Sequence, residues 1–206
     1  MSKKALIIVV DDDAGVRTSL GALLESVEYD VRCYSSALAL LADDPSRGNC
    51  LIADIRMPEM DGLTLQEEIV KRGYSIPVII MTGHGDVPLA VRAMKAGAVD
   101  FLEKPCADDA LLASVRRALD LGERARDRAA EAKAAQDLLS LLTPRERSVL
   151  EKLVAGRSNK VAAYELGISP RTIEIHRARI MDKMNARSLS DLVRVALAAP
   201  SAGGLA

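Results

Sequence analysis

Leu6-Ile7-Ile8-Val9-Val10-Asp11-Asp12-Asp13 carries five apolar residues straight into three acids, and three later stretches repeat the arrangement. Leu51-Ile52-Ala53 precedes Asp54, Val78-Ile79-Ile80-Met81 precedes Thr82, and Phe101-Leu102 stands just ahead of Lys104. Short unbroken apolar runs read as strands buried on both faces, the mark of a parallel sheet. Between them lie segments of helical period. Val16, Leu20, Leu23, Leu24 and Val27 recur at three- and four-residue spacing, which predicts a helix over about 14–28. The alternation continues with a strand at 31–34 and helices at about 36–42, 63–72 and 87–96, so residues 5 to about 120 predict an α/β, doubly wound, five-stranded parallel sheet. Open sheets of this kind place ligands outside the carboxyl ends of their strands. Asp11, Asp12, Asp54, Thr82 and Lys104 are therefore expected to share one crevice. Two unit charges ~4 Å apart repel by about 4 kcal/mol at an effective dielectric of ~20, so three clustered carboxylates call for a counter-charge. A hard divalent cation provides it, and sparse carboxylate ligation suits Mg²⁺.

The chain has 206 residues and a net charge of −1, which conceals an asymmetry. Residues 1–120 hold 13 basic against 19 acidic side chains, residues 121–142 hold 4 of each, and residues 143–206 hold 11 against 6. An acidic first domain and a basic last one suggest that only the second meets a polyanion. Cysteine is limited to Cys33, Cys50 and Cys106, with no C-x-x-C, which excludes a disulfide framework and fits a reducing compartment. No apolar run approaches the ~18 residues that a bilayer requires. Met1-Ser2-Lys3-Lys4 leads into a short apolar run that ends in acids, unlike a signal peptide, so the expected location is cytoplasmic, with no membrane partner.

Residues 121–142 are rich in alanine and mixed charge, the composition of a helical linker. Leu138, Leu139, Leu141 and Leu142 at its end have two candidate partners, another linker or the domain that follows. Thr143-Pro144-Arg145-Glu146 is a helix start: a capping Thr, Pro at the first helical position and an acid three residues on from the Thr. Gly156 ends that helix, a second follows over about 158–165, and Ser169-Pro170 opens a third that runs to about Met184. A fourth, roughly 188–198, completes an all-α domain over 143–199, and the Gly/Ala/Ser-rich residues 200–206 are expected to be disordered.

Val10-Asp11-Asp12-Asp13, Asp54-Ile55-Arg56-Met57-Pro58-Glu59-Met60-Asp61-Gly62, Thr82-Gly83-His84-Gly85 and Ala93 through Pro105 together make residues 1–120 resemble the receiver domain of two-component response regulators, a flavodoxin-like fold. The Thr-Gly-His-Gly-Asp-Val-Pro loop brings the resemblance nearest to the FixJ branch. The resemblance implies that Asp54 accepts a phosphoryl group from the phosphohistidine of a sensor histidine kinase. It implies that Asp11, Asp12, Asp54 and the backbone carbonyl of Arg56 hold the metal, with Asp12 the more direct of the two neighbouring acids. Lys104 would hold a phosphoryl oxygen as a point charge. Thr82 would bond the phosphoryl group and move towards it, Phe101 would follow as the switch aromatic, and the Lys104–Pro105 bond would be cis. His84, on a glycine-flanked loop, reads as solvated rather than as a base. Cys106 stands where relatives commonly carry Phe, and reads as a smaller packing residue.

Residues 143–198 resemble the four-helix, helix-turn-helix effector of the LuxR/NarL/FixJ type, on Leu142 through Glu146, Val154-Ala155-Gly156, Ser158-Asn159-Lys160 and Ile168 through Arg177, with Ile180, Lys183 and Met184. A recognition helix over 170–184 would turn Ile173 and Ile180 inward and leave Arg171, Thr172, Glu174, Arg177, Ala178 and Met181 more exposed, for a major groove. Lys160, Arg179 and Lys183 are candidates for phosphate contact, and His176 fits a packing role or a phosphate contact equally. The combined expectation is a transcription factor that dimerises through the receiver on phosphorylation, binds double-stranded promoter DNA and engages RNA polymerase. A rival, an aspartyl-phosphate hydrolase of the haloacid dehalogenase type, needs an Asp two residues after the nucleophile, where this chain has Arg56. A second rival is a phosphate sink whose basic domain binds RNA or protein.

Overall fold

The apolar runs form strands β1 (Leu6–Val10), β2 (Asp30–Tyr34), β3 (Cys50–Asp54), β4 (Val78–Thr82) and β5 (Asp100–Glu103) in a computed structural model that describes residues 4–83 and 87–199. All pair in parallel, in the order β2-β1-β3-β4-β5, with Val10 opposite Ala53, Asp54 opposite Met81 and Thr82 opposite Glu103. Side chains alternate between the faces of a strand, so one sheet feeds two cores. Ile7, Val9, Ile52, Ile79 and Met81 pack with Leu20 and Leu24 of α1 (Ala14–Ser26) and Leu111 and Val115 of α5 (Asp108–Ser140). Ile8, Val10, Leu51, Ala53 and Ile80 pack on the other face with Leu40 of α2 (Ala37–Ala42), Leu63 and Ile69 of α3 (Gly62–Lys71) and Ala93 of α4 (Val87–Lys95). Helices on both faces make the sheet doubly wound.

Local chemistry sets the helix starts. Asp13, Ser36 and Asp61 cap α1, α2 and α3 by accepting from backbone N–H groups of the first turn. Gly97, at φ +92°, closes α4 while the Ala98 N–H returns to the Ala93 carbonyl at 3.0 Å. That carbonyl also accepts from Nε2 of Gln66, a buried amide on α3. A 3₁₀ turn, Pro45–Arg47, is capped by the Asp44 side chain and opens on proline.

The chain divides into two compact units at Arg126/Asp127, inside the stretch expected to link the domains, and α5 passes through that division as one 33-residue helix. In the second unit, α6 (Pro144–Val154), α7 (Asn159–Leu166), α8 (Pro170–Lys183) and α9 (Leu189–Ala198) enclose Val149, Leu150, Leu153, Ala162, Ile173, Ile180, Met184 and Leu192. Leu142 belongs to this core and Leu138 and Leu139 pack against it, so the domain that follows takes these three, whereas Leu141 is exposed. Among the described residues, no helix is long and apolar enough to cross a membrane. The expectations for His84 and for residues 200–206 lie outside the described residues.

Candidate functional site

Four strands of the central sheet, β1, β3, β4 and β5, deliver a side chain at or just past their carboxyl ends. Asp11 directly follows β1, Asp54 and Thr82 terminate β3 and β4, and Lys104 directly follows β5. Asp11 and Asp54 are only 2% and 6% exposed, and Thr82 is fully buried. Lys104 crosses the sheet end to join them: its Nζ donates to Asp54 Oδ1 at 2.5 Å and to Asp11 Oδ2. Burial pulls the Lys104 pKa down, but these hydrogen bonds outweigh it and hold the ammonium above its ordinary value. The Lys104 N–H donates to the Thr82 carbonyl at 2.6 Å, which fixes β5 against β4 at the crevice, and the Lys104–Pro105 bond is cis.

Asp12 is exposed at the mouth, and the Arg56 side chain is exposed as well. Phe101 is half-buried against the core shared with α3 and α4. Cys106 packs against the α1/α5 core, where burial raises its thiol pKa. Among the described residues, no three acids, histidines or cysteines converge tightly enough to form a metal cage. Mg²⁺ needs no such cage, because it binds through one or two carboxylates and retains water. Two buried carboxylates share one ammonium with a third acid beside them, leaving an excess of negative charge and hard oxygen donors. That donor set fits a magnesium ion.

In the second unit, the turn of α7 into α8 uses Gly167 at φ +65°, and Ser169 caps α8 ahead of Pro170. Ile173 and Ile180 are buried, while Arg171, Glu174, Ala178 and Arg179 are exposed. Arg171, Glu174, Ile175 and Ala178 line an open groove along α8. Thr172 and Arg177 are half-buried, and the Thr172 hydroxyl lies 2.8 Å from that of Ser169. Met181, expected at the surface, packs against the core. Lys160 is exposed on α7. His176 is half-buried, and its Nδ1 is buried with no hydrogen-bond partner among the described residues, an environment that favours packing over phosphate contact.

Lys183 departs from expectation. Its Nζ donates to Glu146 Oε2 at 2.7 Å and to the Leu141 carbonyl at 3.2 Å, so the half-buried ammonium is engaged by its own domain, which disfavours a phosphate contact. Glu146, 3% exposed, also accepts from the Thr143 N–H at 2.9 Å and the Thr143 hydroxyl at 3.0 Å. Lys183 first, then Thr143, hold the Glu146 carboxyl well below the usual range, at about 2.

Comparison with known proteins agrees with both halves. Residues 7–116 match the response regulator receiver domain, and residues 140–196 match the luxR family of bacterial regulatory proteins. The chain belongs to the LuxR-type response regulators. It is 48% identical to transcriptional regulatory protein FixJ of Bradyrhizobium diazoefficiens, over 97% of this chain and 98% of that one. The structure of response regulator StyR superposes with a TM-score of 0.82 at 41% identity, covering 94% of this chain and 98% of that one. Full-length FixJ from B. japonicum gives 0.58 at 47% identity, covering 96% and 98%. As a response regulator, the protein controls transcription through a phosphorylation-responsive receiver and a DNA-binding output domain, and it is not an enzyme of the usual kind.

Three features of this response regulator escape a linear reading. Arg17 on α1 donates to the carbonyls of Asp11 and Asp12 at 2.6 and 2.9 Å. Gly62 lies so close to β3 that a Cβ there would meet the Asp54 carbonyl oxygen at 2.2 Å. Ile175 is 48% exposed on the face of α8 that also carries Arg171, Glu174 and Ala178. For Arg17, the signal was its place one turn into the helix that follows the acids. For Gly62, it was a glycine at a helix start directly after the Asp61 cap. Ile175 breaks the inward period of Ile173 and Ile180.

Proposed function

We propose that Asp54 is the phosphoacceptor of this response regulator and that a sensor histidine kinase is its donor. The observation that carries the reading is the Lys104 bridge between Asp54 and Asp11, which orients a buried carboxylate at a strand end. With Oδ1 held by Lys104, the second oxygen of Asp54 attacks phosphorus. A P–O bond forms as the P–N bond to the donor imidazole breaks, and the imidazole takes up a proton. Asp11, Asp12, Asp54 and the Arg56 carbonyl would hold Mg²⁺, which neutralises charge on the phosphoryl oxygens when bound. Lys104 then passes from carboxylate to phosphoryl oxygen, and the Thr82 hydroxyl donates to another.

A phosphoryl group adds about −1.5 to −2 charges, the local trigger for a two-state element. Thr82 and Phe101 move inward and reshape the face made by α4, β5 and α5. Val87, Val91 and Met94 stand exposed on one side of α4 at four- and three-residue spacing, an apolar stripe suited to a second copy of this chain. Dimerisation of residues 1–120 then pairs two effector domains, 143–199, on promoter half-sites, with 121–142 as linker. Arg171, Glu174 and Arg177 would read base edges, Ile175 would meet a thymine methyl, and Lys160 and Arg179 would contact phosphates. Thr172 would cap α8 as much as contact DNA, and RNA polymerase would be recruited by the bound dimer.

Gel shifts on duplex promoter DNA, with and without acetyl phosphate and Mg²⁺, test this reading. The expected result is phosphorylation-dependent binding that D54N abolishes. Binding to RNA alone, or DNA binding indifferent to phosphorylation, overturns it.

A further inference from the structure

We propose that Arg17 is a positioning residue for the magnesium-binding acids: it fixes the backbone of the turn that carries Asp11 and Asp12. The proposal rests on the reading of Asp54 as a magnesium-dependent phosphoacceptor.

The turn between β1 and α1 must hold neighbouring acids beside a third, Asp54, against their mutual repulsion. Its first residue is well secured: the Asp11 N–H donates to the Tyr34 carbonyl at 3.2 Å, and Asp11 Oδ1 accepts from the Asp13 N–H at 2.9 Å. Its last residue is secured too, because the Asp13 side chain caps α1 through Gly15 and Val16. Asp12, between them, has an exposed side chain and is tied in through its carbonyl, which accepts from Arg17 Nη1 at 2.9 Å. The same nitrogen donates to the Asp11 carbonyl at 2.6 Å. One half-buried guanidinium thus gathers two consecutive carbonyls and turns the backbone of both acids in a single direction. A planar guanidinium with fixed donor directions suits that task better than a flexible ammonium.

Charge and geometry make opposite demands here, so a measurement can separate them. By Coulomb's law alone, removing a cation beside a divalent-metal site tightens the metal. If Arg17 positions the ligands, removing it loosens the metal by about 10-fold or more, as loss of a residue supporting a metal ligand commonly does.

The experiment is calorimetric titration of Mg²⁺ into the full chain, as wild type, R17Q, R17K, D12N and R17Q/D12N, with thermal melts of each. The expected order of Mg²⁺ affinity is wild type, then R17K, then R17Q. In the D12N background, R17Q costs less than it does in the wild type, because one of the two acids it positions is already disabled. Saturating Mg²⁺ restores the acetyl phosphate labelling rate of R17Q, which a generally disrupted receiver would not allow. Wild-type or tighter binding by R17Q overturns the proposal, as does an equal loss in the D12N background. Should R17Q fail to melt cooperatively, R17K decides, and wild-type affinity in R17K overturns it. A wild-type chain that neither binds Mg²⁺ nor labels at Asp54 defeats the phosphoacceptor reading itself, a distinct outcome from Arg17 variants that match a functional wild type.

Discussion

Lys104 and Lys183 each place an ammonium on a buried carboxylate, yet their surroundings differ in one respect. Lys183 meets a single acid, Glu146, whose same oxygen is also satisfied by the Thr143 N–H and hydroxyl. Charge is balanced there and every group has a neighbour, as a structural joint requires. Lys104 meets two acids, Asp11 and Asp54, with Asp12 beside them. Even with the Arg17 guanidinium on the nearby carbonyls, three acids outnumber the cations around them. The balanced pair belongs to the architecture of the effector domain, whereas the unbalanced group is the one we propose takes further positive charge and an incoming phosphoryl group. A surplus of buried like charge, more than the presence of an ion pair, separates a reactive site from a structural one.

The strongest challenge to that contrast is D54N. It should eliminate acetyl phosphate labelling, seen as loss of the phosphorylated band, while leaving the melting transition of the chain in place. E146Q should do the reverse: labelling is untouched, and the effector domain loses about 1–3 kcal/mol, towards the low end because Lys183 stays partly solvated, as read from urea denaturation.

The pH dependence sharpens the same point. Glu146 titrates at about 2 in the folded chain and near ~4.3 when unfolded, so the unfolded chain takes up the proton first as pH falls. The stability that Glu146 contributes is complete above about pH 4.3 and is lost progressively towards about 2. Denaturation midpoints should fall across that window in the wild type and change less in E146Q.

G62A should lie between the two regions in kind, because the added methyl overlaps the Asp54 carbonyl. Overpacking of this sort costs about 1–3 kcal/mol, and the displaced β3–α3 loop should slow labelling at Asp54. The smallest effect compares lysines within the effector. K160A should reduce the slope of log affinity for promoter DNA against log salt by about 1, whereas K183A should leave that slope unchanged.

Much of this was legible in the chain because buried parallel strands declare themselves as unbroken apolar runs. Val78-Ile79-Ile80-Met81 could hardly be anything else, and its end point placed Thr82 in the crevice. The effector helices were equally plain from Thr143-Pro144 and Ser169-Pro170, whose capping chemistry is local. What stayed hidden depends on contacts distant in sequence. Lys183 and Glu146 are 37 residues apart, and nothing beside Lys183 names its partner. A clue was present, since Lys183 lies three residues after the inward-facing Ile180 and just before Met184, on the flank of the buried stripe. Gly62 was visible as a glycine, but only the approach of α3 to the Asp54 backbone explains it.

Strand length in the receiver carries its own consequence. Asp54 is the fifth and last residue of β3, and neighbouring residues of a strand point to opposite faces. Deleting one residue from Cys50–Asp54 would swing the acid to the wrong side of the sheet and bury it among leucines and isoleucines. Lengthening a connection at the far edge would leave it untouched. The reactive corner is therefore indexed by counting along strands, which makes those five positions intolerant of insertion even where any single apolar side chain could be exchanged for another.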